Sequence, residues 1–93
     1  KINIRDINEE DIQKRNLSRN LKGGVVITEI SKNSPLVRFL GVNDIILEVQ
    51  KKAVNSSSFE KSVKEIIQKG EKTLLLTVIN KNNRRRYIGV KIN

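Results

Sequence analysis

The sequence predicts an α+β domain: one strongly curved, antiparallel sheet of five to six strands, with one main helix and one or two short ones. Three observations predict it. Short β-branched runs bounded by turn residues recur at Val25–Ile30, Ile45–Val49 and Thr73–Ile79, too short and too branched to favour helices. Phe59, Val63, Ile66 and Ile67 fall at i, i+4, i+7 and i+8, which marks a single helical face. The last apolar run and the segment Arg85–Ile92 are separated only by Asn80–Asn83, the spacing of a hairpin. No internal repeat is present, and 93 residues make one domain, residues 1–93, able to bury about 60–70% of its unfolded surface.

Taken in order, Lys1 to Ile7 alternates apolar and polar, with Ile2 and Ile4 against Asn3 and Arg5, which reads as a half-buried strand to about Asp6. Asn8 reads as a helix N-cap, and Glu9, Glu10 and Asp11 suit the positive end of that helix's dipole. Ile12 is its one strong apolar position, so the helix is short. Leu17 and Leu21 anchor the polar stretch from Arg15 to Lys22, and Gly23-Gly24 resets the backbone before the first core strand. Gly23 to Val49 is the stretch around which the chain is organised: two core strands joined by a Ser31–Pro35 turn and a short helix over Leu36–Phe39. Ser34 is expected to cap that helix and Gly41 to end it.

After Val49, Gln50-Lys51-Lys52 reads as a tight turn leading to Ala53-Val54. Asn55–Ser58 reads as a capping cluster for the main helix, which Gly70 stops. In the closing hairpin Tyr87, Ile88, Val90 and Ile92 are the expected apolar positions.

The composition excludes several chemistries. The chain has no Cys and no His, so disulfides, thiolate metal sites and the common nucleophile–base pairs cannot be built, and no cofactor or metal is expected. Glu9, Glu10 and Asp11 are adjacent and point in different directions from a helix start, which suits the dipole better than catalysis. Gly23-Gly24 lacks the further glycine of a dinucleotide loop and the Lys-Ser/Thr of a phosphate loop, so it reads as a turn. No apolar run approaches the roughly 18–20 residues of a membrane helix, and the amino end does not read as a signal sequence. Because Lys1 stands within an apparent strand, the chain is expected to be a domain excised from a longer protein.

The net charge of +9, from 19 basic and 10 acidic residues, points to an anionic partner or to a solvated basic surface. Basic residues are spread from Lys14 to Lys91 and only Arg84-Arg85-Arg86 forms a run, so the solvated surface is the first reading. With one Tyr beside that run, no specific nucleic-acid partner is expected. A weak contact with an anionic surface through Arg84, Arg85 and Arg86 is.

The segments GGVVITEISKNSP (23–35) and GVNDIILEVQKKAV (41–54) resemble the "G-V-V-V-x-x-V-x-x-x-S-P … G-D-x-I-x-x-V-N-x-x-x-V" signature of bacterial PDZ domains of HtrA/Do-type (Deg) serine proteases. Ile4-Arg5-Asp6-Ile7-Asn8-Glu9-Glu10 resembles the leader that precedes this signature, and TLLLTVINKNNRRRYIGVKI resembles the closing hairpin. The likeness spans nearly the whole chain. Asn43 stands where the family has Gly, Gln50 where Asn is common, and the Ser34–Asp44 segment is one residue shorter. Lys1 takes the place of the glycine in the family's carboxylate-binding loop.

The resemblance implies a PDZ-like fold, a small curved β-sandwich or partial barrel in the circularly permuted bacterial order. It further implies a non-catalytic domain, the C-terminal PDZ domain of a periplasmic protease-chaperone whose other part is a serine endopeptidase. Unfolded or C-terminal peptides would add as a strand beside β-strand residues Lys1, Ile2, Asn3, Ile4 and Arg5, with side chains entering a cleft lined by Phe59, Ser62, Val63 and Ile66. Subunits or domains of the parent protease are the other implied partners. The alternatives are a purely structural assembly module and a PDZ domain of another membrane or processing protease.

Overall fold

The computed structural model describes residues 2–91, with the backbone alone at Pro35; Lys1 of the expected loop and Ile92 of the expected last strand lie outside the described residues. The elements run β1 (Ile2–Asp6), α1 (Glu9–Lys14), β2 (Val25–Ile30), a 3-10 helix (Pro35–Arg38), β3 (Ile45–Val49), β4 (Lys52–Ala53), α2 (Phe59–Gln68), β5 (Thr73–Ile79) and β6 (Arg85–Lys91). This is the α+β order that the sequence predicts. Among the described residues all six strands belong to one antiparallel sheet, ordered β1-β2-β3-β5-β6 with β4 paired to β3. The ladder is open at both ends, so in place of two packed sheets there is a single sheet with a core on each face. Among the described residues no helix is long and apolar enough to cross a membrane.

Alternation along the strands divides the two cores. Val25, Ile27, Ile46, Val49, Leu74, Leu76, Val78 and Val90 point to one face, where Phe59, Val63 and Ile66 of α2 cover them. Val26, Ile45, Leu47 and Ile79 point to the other, under Ile7, Leu17 and Leu21. Each such side chain, fully buried, is worth about 1.5–3 kcal/mol relative to exposure. Ile27 and Ile30 are three apart yet share a face. Asn3 pairs Glu29 while Ile4 pairs Ile27, so Thr28 is an extra residue, and this bulge restores Ile30 to the α2 side.

Asn8 caps α1 as expected. Its side chain accepts from the Asp11 N–H at 2.9 Å, and Asp11 accepts from the Asn8 N–H at 2.9 Å, a reciprocal capping box. Ser34 caps the 3-10 helix through the Leu36 N–H. Gly41 does not end that helix: it stops at Arg38, and the Gly41 N–H is held instead by the Asp44 carboxylate at 2.9 Å. Nor does Ser58 cap α2 with its side chain. Asn55–Ser58 satisfies itself, the Asn55 side chain accepting from the Ser57 and Ser58 N–H groups and Ser58 Oγ from the Asn55 N–H. At the other end Gly70, at φ +78°, donates to Ile67 O and Glu71 donates to Ile66 O, the double bond of a Schellman stop.

Two expected apolar positions are exposed. Ile67 is 53% exposed, because it lies at the rim of the Phe59–Ile66 stripe. Tyr87 is 64% exposed, because alternation puts it on the face opposite Ile88 and Val90.

The turns that hold Asn43 and Gln50 adopt left-handed backbone. Asn43 has φ +76°, and Gln50 and Lys51 have φ +51° and +66° in the two-residue link from β3 to β4. Asn tolerates that region better than most side chains. The Gln50 side chain adds a fastening of its own, accepting from the Leu75 N–H at 2.8 Å. Gly23 and Gly24 are required for close approach: a Cβ on Gly23 would stand 2.6 Å from Val54 O, and one on Gly24, at φ +133°, would collide with the Ile7 side chain.

Candidate functional site

β1 ends the sheet. Among the described residues it pairs with β2 on one side only, and Phe59 and Val63 of α2, which packs on one face of the sheet, come close to it. Between them lies a recess of about 340 Å³. Ile2 and Ile4 form one wall, Phe59 and Val63 the other, Leu36 closes one end, and Ser56, Glu60 and Lys64 complete the rim. Its lining is mostly apolar, because Ile2 and Ile4 turn inward from β1 while Asn3 and Arg5 turn outward.

The far end is tied shut. Asp6, the last residue of β1, accepts from the Ser56 N–H at 2.7 Å and from Ser56 Oγ at 3.0 Å, which fastens the edge strand to the loop before α2. Polar contacts at this end, and the core packing of Phe59, tie β1 to the segment that begins α2.

The charged groups near β1 are satisfied locally. Arg5 holds Asp11 through two bonds of 2.7 and 2.9 Å, Asn3 holds Glu29 at 2.7 Å, and Glu60 pairs with Lys64 at 3.4 Å. The hydrogen-bonded Arg5 guanidinium holds the Asp11 carboxyl below the usual carboxylate range although partial burial opposes it, and Asp11 in turn raises Arg5. On the exposed side of α1, Arg19 lowers Glu9 and Lys14 lowers Glu10. The two charged side chains that line the recess, Glu60 and Lys64, are paired with each other. Among the described residues no three acidic side chains converge as a metal cage would require.

Of the expected site residues, the structure brings Ile2, Ile4, Phe59 and Val63 together. Asn3 and Arg5 stand on β1 beside the recess without lining it, their side chains committed to Glu29 and Asp11. Ser62 and Ile66 are not in this recess. They line a separate one of about 200 Å³ with Val49, Gln50 and Glu65, on the other flank of α2. At about 100° per residue, Ser62 lies on one side of the Phe59–Val63–Ile66 stripe and Glu60 and Lys64 on the other. The flank that faces β1 is set by how the helix crosses the sheet.

Leu36, Ser56, Glu60 and Lys64 were not anticipated. Leu36 carries the clearest signal, an apolar residue just inside a proline-started helix between two core strands. Neither a scan against protein-family models nor a search of curated proteins finds a match for this chain.

Proposed function

We propose that the chain is a PDZ-like peptide-binding domain, non-catalytic itself, from an HtrA/Do-type periplasmic serine protease-chaperone, and that it captures extended peptide by strand addition at β1. The observation that carries this reading is the apolar recess between an unpaired edge strand and a helix. A peptide pairing with β1 would run about 4.8 Å beyond it, over the mouth of the recess, and every second side chain would point into it. Backbone pairing supplies affinity without regard to sequence. Ile2, Ile4, Leu36, Phe59 and Val63 then select apolar side chains at alternate positions of the guest.

Titration with an extended apolar peptide bearing a free carboxyl terminus tests the reading. Amide resonances of Ile2, Ile4, Phe59 and Val63 are expected to shift while those of Ser62 and Ile66 move less. No perturbation at millimolar peptide removes the proposal.

A second reading, a module that assembles subunits, is favoured by the apolar side chains left outside in and after the 3-10 helix: Val37, Phe39 and Val42 are 37%, 45% and 47% exposed. Analytical ultracentrifugation of the parent protein with and without this domain decides it, and unchanged assembly removes it.

A further inference from the structure

From residue 72 onward the chain carries no acidic residue, while Lys72, Lys81, Arg84, Arg85, Arg86 and Lys91 supply six positive charges. The rest of the molecule is close to balanced, with thirteen basic and ten acidic residues. All six are exposed, and among the described residues none joins an ion pair; the pairs that do form hold Arg5, Lys14, Arg19 and Lys64. The net charge is therefore concentrated on the β5–β6 hairpin.

The hairpin presents these charges from a fixed frame. Asn80 N–H donates to Arg84 O at 2.9 Å, the Asn80 side chain accepts from Asn82 and Arg84, and Arg15 reaches over from α1 to Asn80 O at 2.7 Å and Asn83 Oδ1 at 3.2 Å. Alternation sends Arg85 and Tyr87 to one face and Arg86 to the other, so the cations ring the hairpin end. On the Arg85 side they continue into a shallow recess of about 460 Å³, where Lys22, Lys51 and Arg85 outnumber the single acid Glu48.

We propose that this hairpin docks the domain on an anionic lipid surface, Arg84, Arg85, Arg86 and Lys81 meeting headgroup phosphates and Tyr87 seating its ring at the headgroup boundary. A flat array of phosphates complements an exposed ring of cations around a strand end. An amphipathic Tyr, 64% exposed, suits the polar–apolar boundary. Nucleic acid fits less well. Single strands require several stacking rings along a basic groove, and β5, hydrogen-bonded on both sides, is not part of a free two-stranded ribbon able to enter a major groove. β6 and β1 stand at opposite ends of the strand order, so docking leaves the peptide recess open.

Co-sedimentation of the 93-residue chain with vesicles of mixed phosphatidylglycerol and phosphatidylcholine tests this. Binding is expected at low salt, falling steeply as salt rises, and absent on pure phosphatidylcholine. The combined variant R84Q/R85Q/R86Q should bind about a hundredfold more weakly, about fivefold for each cation removed. The charge-matched variant K32Q/K61Q/K69Q should change little. Circular dichroism establishes that both variants are folded, and the salt titration of the unaltered chain tests the proposal even if one is not. Salt-insensitive or absent binding, equal loss in the two variants, or tighter binding to an oligonucleotide than to the vesicles overturns it.

Discussion

The two ends of the sheet solve the same problem in opposite ways. Every edge strand offers unpaired backbone groups to whatever chain comes near, and natural proteins blunt such edges with charge, bulges or cover. β6 is blunted by Arg84, Arg85 and Arg86, whose mutual repulsion disfavours a second copy pairing along it. β1 carries no such run of like charge: Arg5 is paired with Asp11, Asp6 is hydrogen-bonded by Ser56, and an apolar recess opens beside the strand. An edge left unguarded next to a hydrophobic cleft fits the proposed strand addition, and a cationic edge fits the proposed docking on a surface.

The sharpest way to break this contrast is to detach β1 from the sheet while sparing β6. Gly24 O accepts from the Ile7 N–H at 3.3 Å just after β1, and a Cβ on Gly24 would strike the Ile7 side chain and press on Leu47. Gly24→Ala, which also forces φ +133° on an L side chain, is expected to cost about 3 kcal/mol in urea unfolding. Hydrogen exchange should show β1 amides losing protection before those of β5 and β6. If the hairpin loosens first, the two edges are not independent.

Asp11 gives a smaller break at the same edge. It is the hub that joins the α1 cap to Arg5 of β1, so Asp11→Ala should cost about 2 kcal/mol. The pH dependence has a definite sign. Arg5 depresses the folded-state pKa of Asp11, so its stabilisation is present above the unfolded value, about 3.9, and is lost as pH falls through the lower folded value. Glu9 and Glu10 act in the same direction, so urea midpoints should fall between pH 5 and acid for the unaltered chain, and less steeply for Asp11→Ala. An equal fall in both leaves the Arg5–Asp11 pair without a stabilising role.

Much of this architecture is legible in the residues, because strands, caps and stops are local. Asn8 capping α1, Ser34 capping the 3-10 helix, Gly70 ending α2 and the Asn80–Asn83 turn all follow from side chains acting within a few positions. For Ile2, Ile4, Phe59 and Val63, alternation on the first strand and the stripe on the helix give only that they face inward; their place in a peptide site is what the PDZ resemblance implies. What periodicity does not carry is the rotation of α2 over the sheet. Ser62 and Lys64 are equally plausible from the stripe alone, and only the crossing of helix and strand puts Lys64 at the recess and Ser62 behind it. Tyr87 was misplaced for a simpler reason, an apolar residue counted into a strand face that alternation denies it. The charge excess of the hairpin is legible too, since no acidic residue follows Glu71, but it shows only when acids are counted along with the evenly spread Lys and Arg.

Thr77 tests the hairpin end of the comparison most finely. It stands in the middle of β5, paired in register with Glu48 on one side and Tyr87 on the other, and is 1% exposed. Among the described residues its hydroxyl is the one buried side-chain oxygen without a hydrogen-bond partner. A buried donor left unmade costs about 1–3 kcal/mol, whereas replacing it by a methyl of nearly the same shape removes that penalty and leaves the strand propensity intact. Thr77→Val is therefore expected to raise stability by about 1 kcal/mol, read as a higher urea midpoint at unchanged slope. The gain should be the same with and without R84Q/R85Q/R86Q, since charge acts outside the edge strand and the hydroxyl inside the sheet. A loss of stability in Thr77→Val would mean that the hydroxyl has a partner, and the cross-strand row Glu48–Thr77–Tyr87 would then be a polar network supporting the basic edge.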